Sequence, residues 1–488
     1  MHSTFRRLLI FAVFFLAASA AASSTERPPF KCPTYIDTVV PSGQTDWYGK
    51  REPGDPFLDS MSEVHNALTK CSSIKSLKLR VTSLGCSEHP DRYNFPFNHP
   101  SGSRYPSTLE SLDLEGYAFN DRPWDEVRTL HRWGNTFERY ADWVYEGKAW
   151  AWLKGLPMSQ AQKNMTNLDL WLEAMDFSQI RHLAIRDGQT PNVTTLVPHL
   201  KSLNSFSTYG SWAKELIAAL PENSLKHLSW KNSGQTGASV EPLLRHHADS
   251  LTSLDWHEPE STYRQRKVMS PAQLTALGGM LPNLKSLTID INQNGTWPVD
   301  HLEAIATEFP NLENATIFFE MASECRRQLD IEKSGLRRLH EMMVMEDQSD
   351  CSKGTRSNAE PTLGIYSAGW PFELLVKKNG GGKLKKVNFY AGSWERGWDG
   401  AMLIGEDWLD DRRAFVACEV IEGDGSVIED IGGGLKVEKQ DQLLVCQNNR
   451  TKRYKVMSEA KKRRTVWETK QYAEANQDIM ERAWRMEL

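Results

Sequence analysis

A short apolar pattern recurs along this chain and limits what it can fold into. One large apolar residue is followed three positions later by a second, and two positions after that by a third. The last two residues of each copy lie two apart, so they point to the same side of a β-strand. The clear copies are Ile74-Leu77-Leu79, Leu109-Leu112-Leu114, Ile180-Leu183-Ile185, Leu225-Leu228-Trp230, Leu251-Leu254-Trp256 and Leu284-Leu287-Ile289.

Weaker copies extend the series. We align Leu200-Leu203-Ser205 and Leu312-Ala315-Ile317 as degraded copies, and we expect further ones to begin at Leu336 and Leu384. Segments before the triplets, such as 273–280 and 301–309, have the pattern of helices. In three copies a proline then leads into the strand, and proline ends a helix and favours extended backbone before it. The sequence therefore predicts an α/β solenoid of short parallel strands with helices on its convex side.

This arrangement resembles the leucine-rich repeat superfamily, in particular the irregular, helix-containing type often found in F-box proteins. The resemblance covers about residues 60–345, and Cys71-Ser72-Ser73-Ile74 places a cysteine before a strand, as in the cysteine-containing subtype. The asparagine that the family places three residues after the third apolar position is matched only by Asn292. No F-box precedes the repeats, so the ubiquitin-ligase adaptor role of that family is not carried over.

The first residues predict export from the cell. Arg6 and Arg7 precede an apolar run over 8–18, and Ala18-Ser19-Ala20 fits the cleavage rule of signal peptidase. We expect a signal peptide over 1–22 and a secreted, extracellular chain without stable membrane insertion, because no later apolar run is long enough to span a bilayer. A chain that combines these repeats with a signal peptide resembles the secreted repeat proteins of filamentous fungi, which include candidate host-interaction effectors.

The cysteines and the glycosylation sequons agree with the predicted secretion. The chain has 7 cysteines, and we expect the local pairs Cys325/Cys351 and Cys418/Cys446 to form disulfides. No C-x-x-C motif is present, so no metal site is expected. N-x-[ST] sequons, which predict a glycoprotein, occur at Asn164, Asn192, Asn294, Asn314 and Asn449.

Changes in composition divide the chain. An N-terminal cap is expected over 23–60 and the solenoid over 61–345, with a helical insertion at about 117–175 that is rich in tryptophan. Tryptophans in such an insertion form a core, a sugar-stacking platform or a binding hot spot, and their helical spacing favours the core. The remaining predictions are a linker over 346–362, a β-rich cap over 363–455 whose strands continue or close the solenoid, and a charged helix over 456–488.

In such a solenoid the side chains that alternate with the buried ones project from the concave face. For the copy at Leu200 these would be Ser202, Asn204 and Phe206. Asn314 falls in the first outward position, so either it carries no glycan or binding happens elsewhere. The binding candidates are Lys78, Arg80, Asp113, Glu115, His182, Arg186, His227, Lys231, Asp255, His257 and Asp290.

Charge and motifs exclude several functions. The net charge of −5 and the mixed signs on the expected face do not favour nucleic acid as a partner. We find no catalytic motif and expect no cofactor; His257-Glu258-Pro259-Glu260 begins like a zinc protease motif but lacks the second histidine. The sequence thus favours a non-catalytic module that binds a protein or a glycan.

Two alternatives remain open. One is a secreted carbohydrate-active hydrolase with an unrecognised carboxylate pair, which would show two facing acids in a deep pocket, whereas a binding module would show no buried carboxylate of shifted pKa. The other is a structural cell-wall or secretory-pathway resident. The terminal Arg485-Met486-Glu487-Leu488 only weakly resembles a retention signal for the endoplasmic reticulum.

Overall fold

The computed structural model of the protein describes part of the chain. The described residues are 30–40, 55, 57–58, 60–81, 104–106, 108–117, 119, 165–186, 192–259, 266–320, 361–392, 414–422, 436–439 and 442–447.

Within these residues, strands β1 to β13 form one sheet, ordered as in the sequence except that β13 lies between β11 and β12. Strands β1 to β10 pair in parallel, and β11, β13 and β12 continue the sheet with antiparallel pairing. The bounds of β1 to β13 are Tyr35–Val40, Ser76–Val81, Ser111–Glu115, His182–Arg186, Ser205–Tyr209, His227–Lys231, Ser253–His257, Ser286–Ile291, Asn314–Phe319, Lys386–Ala391, Ala414–Glu422, Lys436–Lys439 and Gln442–Gln447.

Helices connect most of the parallel strands and pack on the opposite side of the sheet from the concave face. Helix α6, over Pro271–Met280, shows how the local sequence starts a helix: Ser270 accepts a hydrogen bond from the backbone of Gln273, and Pro271 takes the first helical position. The bounds of α1 to α8 are Met61–Lys70, Asn167–Ala174, Val193–Leu196, Ala213–Ala219, Gly237–Arg245, Pro271–Met280, Val299–Glu308 and Gly369–Lys378.

The repeated apolar residues stack from strand to strand and make the core. All of the clear triplets and the copy at Leu312 are buried. The register aligns the second residues into one row across the sheet, which confirms the predicted solenoid with a mostly parallel sheet. The row runs through Leu77, Leu112, Leu183, Phe206, Leu228, Leu254, Leu287, Ala315 and Val387.

Our alignment of the copy in β5 is wrong. The register pairs Phe206 with Leu183 and Leu228, so the triplet is Leu203-Phe206-Thr208 instead of Leu200-Leu203-Ser205. Phe206 is therefore a core residue and not an outward one. The misalignment arose because Leu200 is also buried, at the end of the 3-10 turn Val197–His199.

The two ends of the sheet differ from the expected pattern. Strand β1 was missed because Pro33 occupies the place of the first apolar residue. The copy at Leu384 is β10, which pairs in parallel with β9, whereas Leu336 lies outside the described residues. The region expected to be only β-rich also contains α8, whose buried Phe372 and Leu375 are spaced for one helix face. The remaining domain bounds stay predictions.

Two disulfides close the ends of the described fold. Cys418 and Cys446, which the sequence analysis paired, face each other across β11 and β13. Cys32 and Cys71, which it did not pair, join the segment before β1 to the end of α1. Cys325 and Cys351 lie outside the described residues.

The tryptophan-rich stretch between β3 and β4 is described only at its ends. Trp171 on α2 is fully buried, and its Nε1 donates a hydrogen bond of 3.0 Å to the hydroxyl of Tyr117. Trp171 is thus a core residue, whereas most of the expected insertion, like the expected charged helix over 456–488, lies outside the described residues. None of the described helices is long and apolar enough to cross a membrane.

Adjacent glycines in α6 provide a test of the helix packing. A Cβ at Gly278 would lie 2.5 Å from the carbonyl oxygen of Glu308 on α7, whereas a Cβ at Gly279 would meet no described atom within 4 Å. We expect Gly278→Ala to lower the free energy of unfolding by about 1–3 kcal/mol through overpacking. Gly279→Ala, the control, should raise it by about 0.5–1 kcal/mol through helix propensity. Urea unfolding of both variants measures this, and equal effects would contradict the close approach.

Candidate functional site

The concave face of the sheet carries three outward positions on each parallel strand. The register corrects β5, whose outward residues are Ser205, Ser207 and Tyr209. Small polar side chains occupy most of the first two positions. From β1 to β10 the first positions are Tyr35, Ser76, Ser111, His182, Ser205, His227, Ser253, Ser286, Asn314 and Lys386, and the second are Asp37, Lys78, Asp113, Ala184, Ser207, Ser229, Asp255, Thr288, Thr316 and Asn388.

Charged residues at the N-terminal end of this face pair across neighbouring strands. Lys78 Nζ lies 2.9 Å from Asp37 Oδ2, and the hydrogen bond to Asp37 raises the pKa of Lys78 above its usual value. Arg186 Nη2 lies 2.5 Å from an oxygen of Asp113. Because each charge has an opposite neighbour, this part of the face has no uniform field that would attract a polyion.

The same pairing continues at other outward positions. Arg80 Nε lies 3.2 Å from Glu115 Oε1, in a pair that is largely buried. Asp255 Oδ2 accepts a hydrogen bond of 2.8 Å from Ser229 and lies 3.7 Å from Lys231 Nζ. The structure thus brings most of the charged candidates together as pairs with one another.

His182 and His227 lie in the first position on either side of Ser205, and both are exposed. Partial burial, and then the nearby His182 and Lys226, lower the pKa of His227 below its usual value of 6.5. The middle of the face is polar, and its charged Asp255 pairs with Lys231.

Aromatic rings form a row at the C-terminal end of the face. The rings of Phe318 and Tyr390 stack with centroids 4.6 Å apart, and Phe415 lies 4.7 Å beyond Tyr390. His257 contacts the other side of Phe318 at 4.1 Å. Because Phe318 and Tyr390 each have ring neighbours on two sides, these two rings do not present free faces on which a sugar would stack.

Like Glu115, the sequence candidates His257 and Asp290 are buried instead of lying exposed on the face. Asp290 Oδ1 is 2.6 Å from His257 Nδ1 and 3.1 Å from Arg266 Nη1, and its Oδ2 accepts a hydrogen bond of 2.6 Å from the backbone of Glu258. We call His257, Glu258, Arg266, Asp290 and Glu320 the edge cluster. Each of these residues is less than a tenth exposed.

Arg266 connects the ends of three strands within the edge cluster. Its guanidinium donates to the carbonyl oxygen of Phe318 at 3.0 Å on β9 and to Asn292 Oδ1 at 3.4 Å just after β8, and Glu258 just after β7 accepts through its carbonyl oxygen at 3.4 Å. Sequence reasoning missed Arg266. The only signal was Asn292, the single match to the family's asparagine position, and Asn292 bonds to Arg266 through both its oxygen and its nitrogen.

Glu258 is a buried carboxylate with a shifted pKa, the feature that the sequence analysis associated with an enzyme. Burial raises the pKa of Glu258 above its usual value of 4.5, and the charge of Asp290 adds to the rise. The hydroxyl of Ser233 donates to Glu258 Oε1, and the backbone N–H of Gly234 lies 3.2 Å from both carboxylate oxygens. Both oxygens of Glu258 and both of Asp290 thus contact protein donors, so these two carboxylates help to hold the strand ends together.

Metal binding finds no support in the part of the chain that the structure describes. No group of three or more His, Cys, Asp or Glu residues there is arranged to hold a metal ion.

Comparisons with known proteins leave the family open. No protein-family model and no curated protein matches the chain. The solved structure of the leucine-rich-repeat-containing protein LegL7 from Legionella pneumophila is similar over 54% of this chain and 80% of that one, with 15% sequence identity and a TM-score of 0.27. A score this low carries no weight, so the likeness to a leucine-rich-repeat solenoid rests on the strand order and register of this sheet.

Removing Arg266 should destabilise the fold, because it would leave buried carboxylates without their cation. We expect Arg266→Met to lower the free energy of unfolding by about 3–5 kcal/mol. Lys267→Met, at the exposed neighbouring position, is the control and should change it by less than about 0.5 kcal/mol. Urea denaturation measures both, and a small effect at Arg266 would refute its role at the strand ends.

The raised pKa of Glu258 predicts a pH dependence of stability. Between pH 4.5 and its raised pKa the folded state holds a proton that the unfolded state releases, so this residue's contribution to stability falls as the pH rises through that window. Each unit of pKa shift corresponds to about 1.4 kcal/mol. Relative to Glu258→Gln, the wild type should lose stability between pH 4.5 and pH 7. Urea unfolding at both pH values tests this, and a constant difference would show that the carboxyl is not perturbed.

Proposed function

We propose that this protein is a secreted, non-catalytic module that binds a protein or a glycan through the middle of its concave face. We define the open face as the first two outward positions of strands β4 to β7. Its members are His182, Ala184, Ser205, Ser207, His227, Ser229, Ser253 and Asp255, all exposed or half-buried.

The observation that carries the proposal is the continuity of this surface. The parallel register places these side chains in two straight rows on adjacent strands, about 4.8 Å apart from strand to strand. The rows lie between the paired charges of the first strands and the aromatic row of the last ones. A continuous surface made mostly of hydroxyl and imidazole groups suits a partner with many hydrogen-bonding groups, as protein backbones and glycans have.

Export is supported by the predicted signal peptide over 1–22 and by the two disulfides, which persist in oxidising compartments. A role as a host-interaction effector follows from the resemblance to secreted fungal repeat proteins and belongs to the proposal on that ground alone. The hydrolase alternative has less support, because the oxygens of Glu258 and Asp290 already contact protein donors.

An arginine placed on the open face should block binding without unfolding the protein. We expect Ser207→Arg to weaken retention of a bound partner about tenfold or more, because the larger side chain keeps the partner off the neighbouring rows. Ala238→Arg adds the same side chain to an exposed position of α5 on the convex side and is the matched control.

The measurement is capture from extracellular protein extracts and from an array of purified glycans, at low and at high salt. A partner should be retained by the wild type and by Ala238→Arg but not by Ser207→Arg, and salt should change its affinity little because the charges of the face are paired. The proposal fails if every captured molecule is retained equally by both variants. Release of reducing sugar from any bound glycan would favour the hydrolase instead.

A further inference from the structure

One glycosylation sequon, Asn314-Ala315-Thr316, lies on the concave face itself. Asn314 is the first residue of β9 and is exposed. Its neighbours in the register are Ser286 on β8 and Lys386 on β10. The backbone N–H of Asn314 bonds to Lys285, and among the described residues its side-chain amide makes no hydrogen bond. A group attached to that amide would therefore disrupt no contact of the described fold.

The other sequons that the structure describes lie away from this face. Asn192 is the N-cap of helix α3, where its Oδ1 accepts hydrogen bonds from Thr195 N at 3.2 Å and from Thr194 Oγ1 at 2.7 Å. Asn294 is exposed in the loop after β8, beside Gly295 with φ of +77°. Glycans at these two positions would extend from connecting segments between strand and helix, and they would leave the open face uncovered. Asn164 and Asn449 lie outside the described residues.

N-glycosylation transfers an oligosaccharide from a lipid diphosphate to the asparagine side chain. The bond between the sugar C1 and the phosphate oxygen breaks, a bond between C1 and Nδ2 forms, Nδ2 loses one proton, and the lipid diphosphate leaves. The donor and the enzyme belong to the eukaryotic secretory route, so this step depends on the secretion that we propose above.

We propose that Asn314 is N-glycosylated and that its glycan covers the first outward positions of β8 to β10, which confines partner binding to the open face on β4 to β7. Neighbouring strands are about 4.8 Å apart, so Ser286 and Lys386 lie directly beside the attachment point. A glycan is bulky and hydrated, and it keeps other macromolecules from the surface that it covers. Strand β7 lies two strands from β9, and the open face extends away from the glycan.

The test begins with site occupancy. The full chain with its own N-terminal segment is expressed in a eukaryotic secretory host, and the purified protein is treated with peptide N-glycosidase in ¹⁸O water. Mass spectrometry then reads each asparagine converted to labelled aspartate. We expect label at Asn314 in most molecules. If Asn192 and Asn294 are labelled and Asn314 is not, the proposal is overturned while secretion stands; if the chain stays inside the cell without label, the proposal and the proposed secretion fail together.

A second measurement tests the covering of the face. Acylation of Lys386 by a small amine-reactive reagent should be about threefold slower in the glycosylated protein than in Asn314→Gln, because the glycan stands next to it. Lys78, exposed at the other end of the sheet, is the internal control and should react equally in both. Asn294→Gln is the matched control variant and should leave the reactivity of Lys386 unchanged. Equal reactivity of Lys386 in wild type and Asn314→Gln would show that the glycan does not cover the face.

Discussion

Stacking of buried apolar side chains along the parallel sheet is the interaction on which the rest of this structure depends. The strand of each repeat presents its buried residues to one side of the sheet, and the register places them directly against those of the next strand. Burying a side chain such as Leu254 contributes about 1.5–3 kcal/mol. A short strand with its helix cannot cover its own apolar surface, so each repeat is stable only between neighbouring repeats. The outward rows of the concave face are a geometric consequence of that stacking.

A second set of contacts holds the ends of the strands together. Leucine-rich repeats resemble this chain in their strands, but the expected asparagine occurs here only as Asn292. The edge cluster holds the ends of β7 to β9 together: Arg266 donates to the carbonyl oxygens of Glu258 after β7 and of Phe318 on β9, and Asp290 on β8 accepts from the backbone of Glu258. A guanidinium has five donors in a fixed plane, so one residue can serve several backbone groups at once. Its charge in turn requires buried carboxylates close by, which explains why acids cluster there.

Pairing of charges across strands shapes what the concave face can bind. The number of lysine, arginine and acidic side chains on the face suggests a strongly charged surface. Oppositely charged side chains on neighbouring strands pair, however, and neutralise one another. The middle of the face is left with hydroxyl groups, two exposed histidines and little charge. In the function that we propose, such a surface would select partners by shape and by hydrogen bonds made at short range, and the proposed glycan at Asn314 would limit it on the side of the last parallel strands.

The sequence by itself determined which segments form the repeated strands, because the side-chain alternation of a strand is a local property that three spaced apolar residues reveal. It also identified Cys418 with Cys446 as a pair, since both lie near each other in one short segment. Only the tertiary structure decided the register of β5, where Leu200 and Leu203 both suit the first position and neighbouring strands choose between them. Only the tertiary structure showed that His257 and Asp290, in the third outward position, are buried while His182 and His227, in the first, are exposed. The physical reason is that Arg266, in a connecting segment, pairs with Asp290, which in turn contacts His257, and contacts between distant parts of the chain leave no period in the sequence.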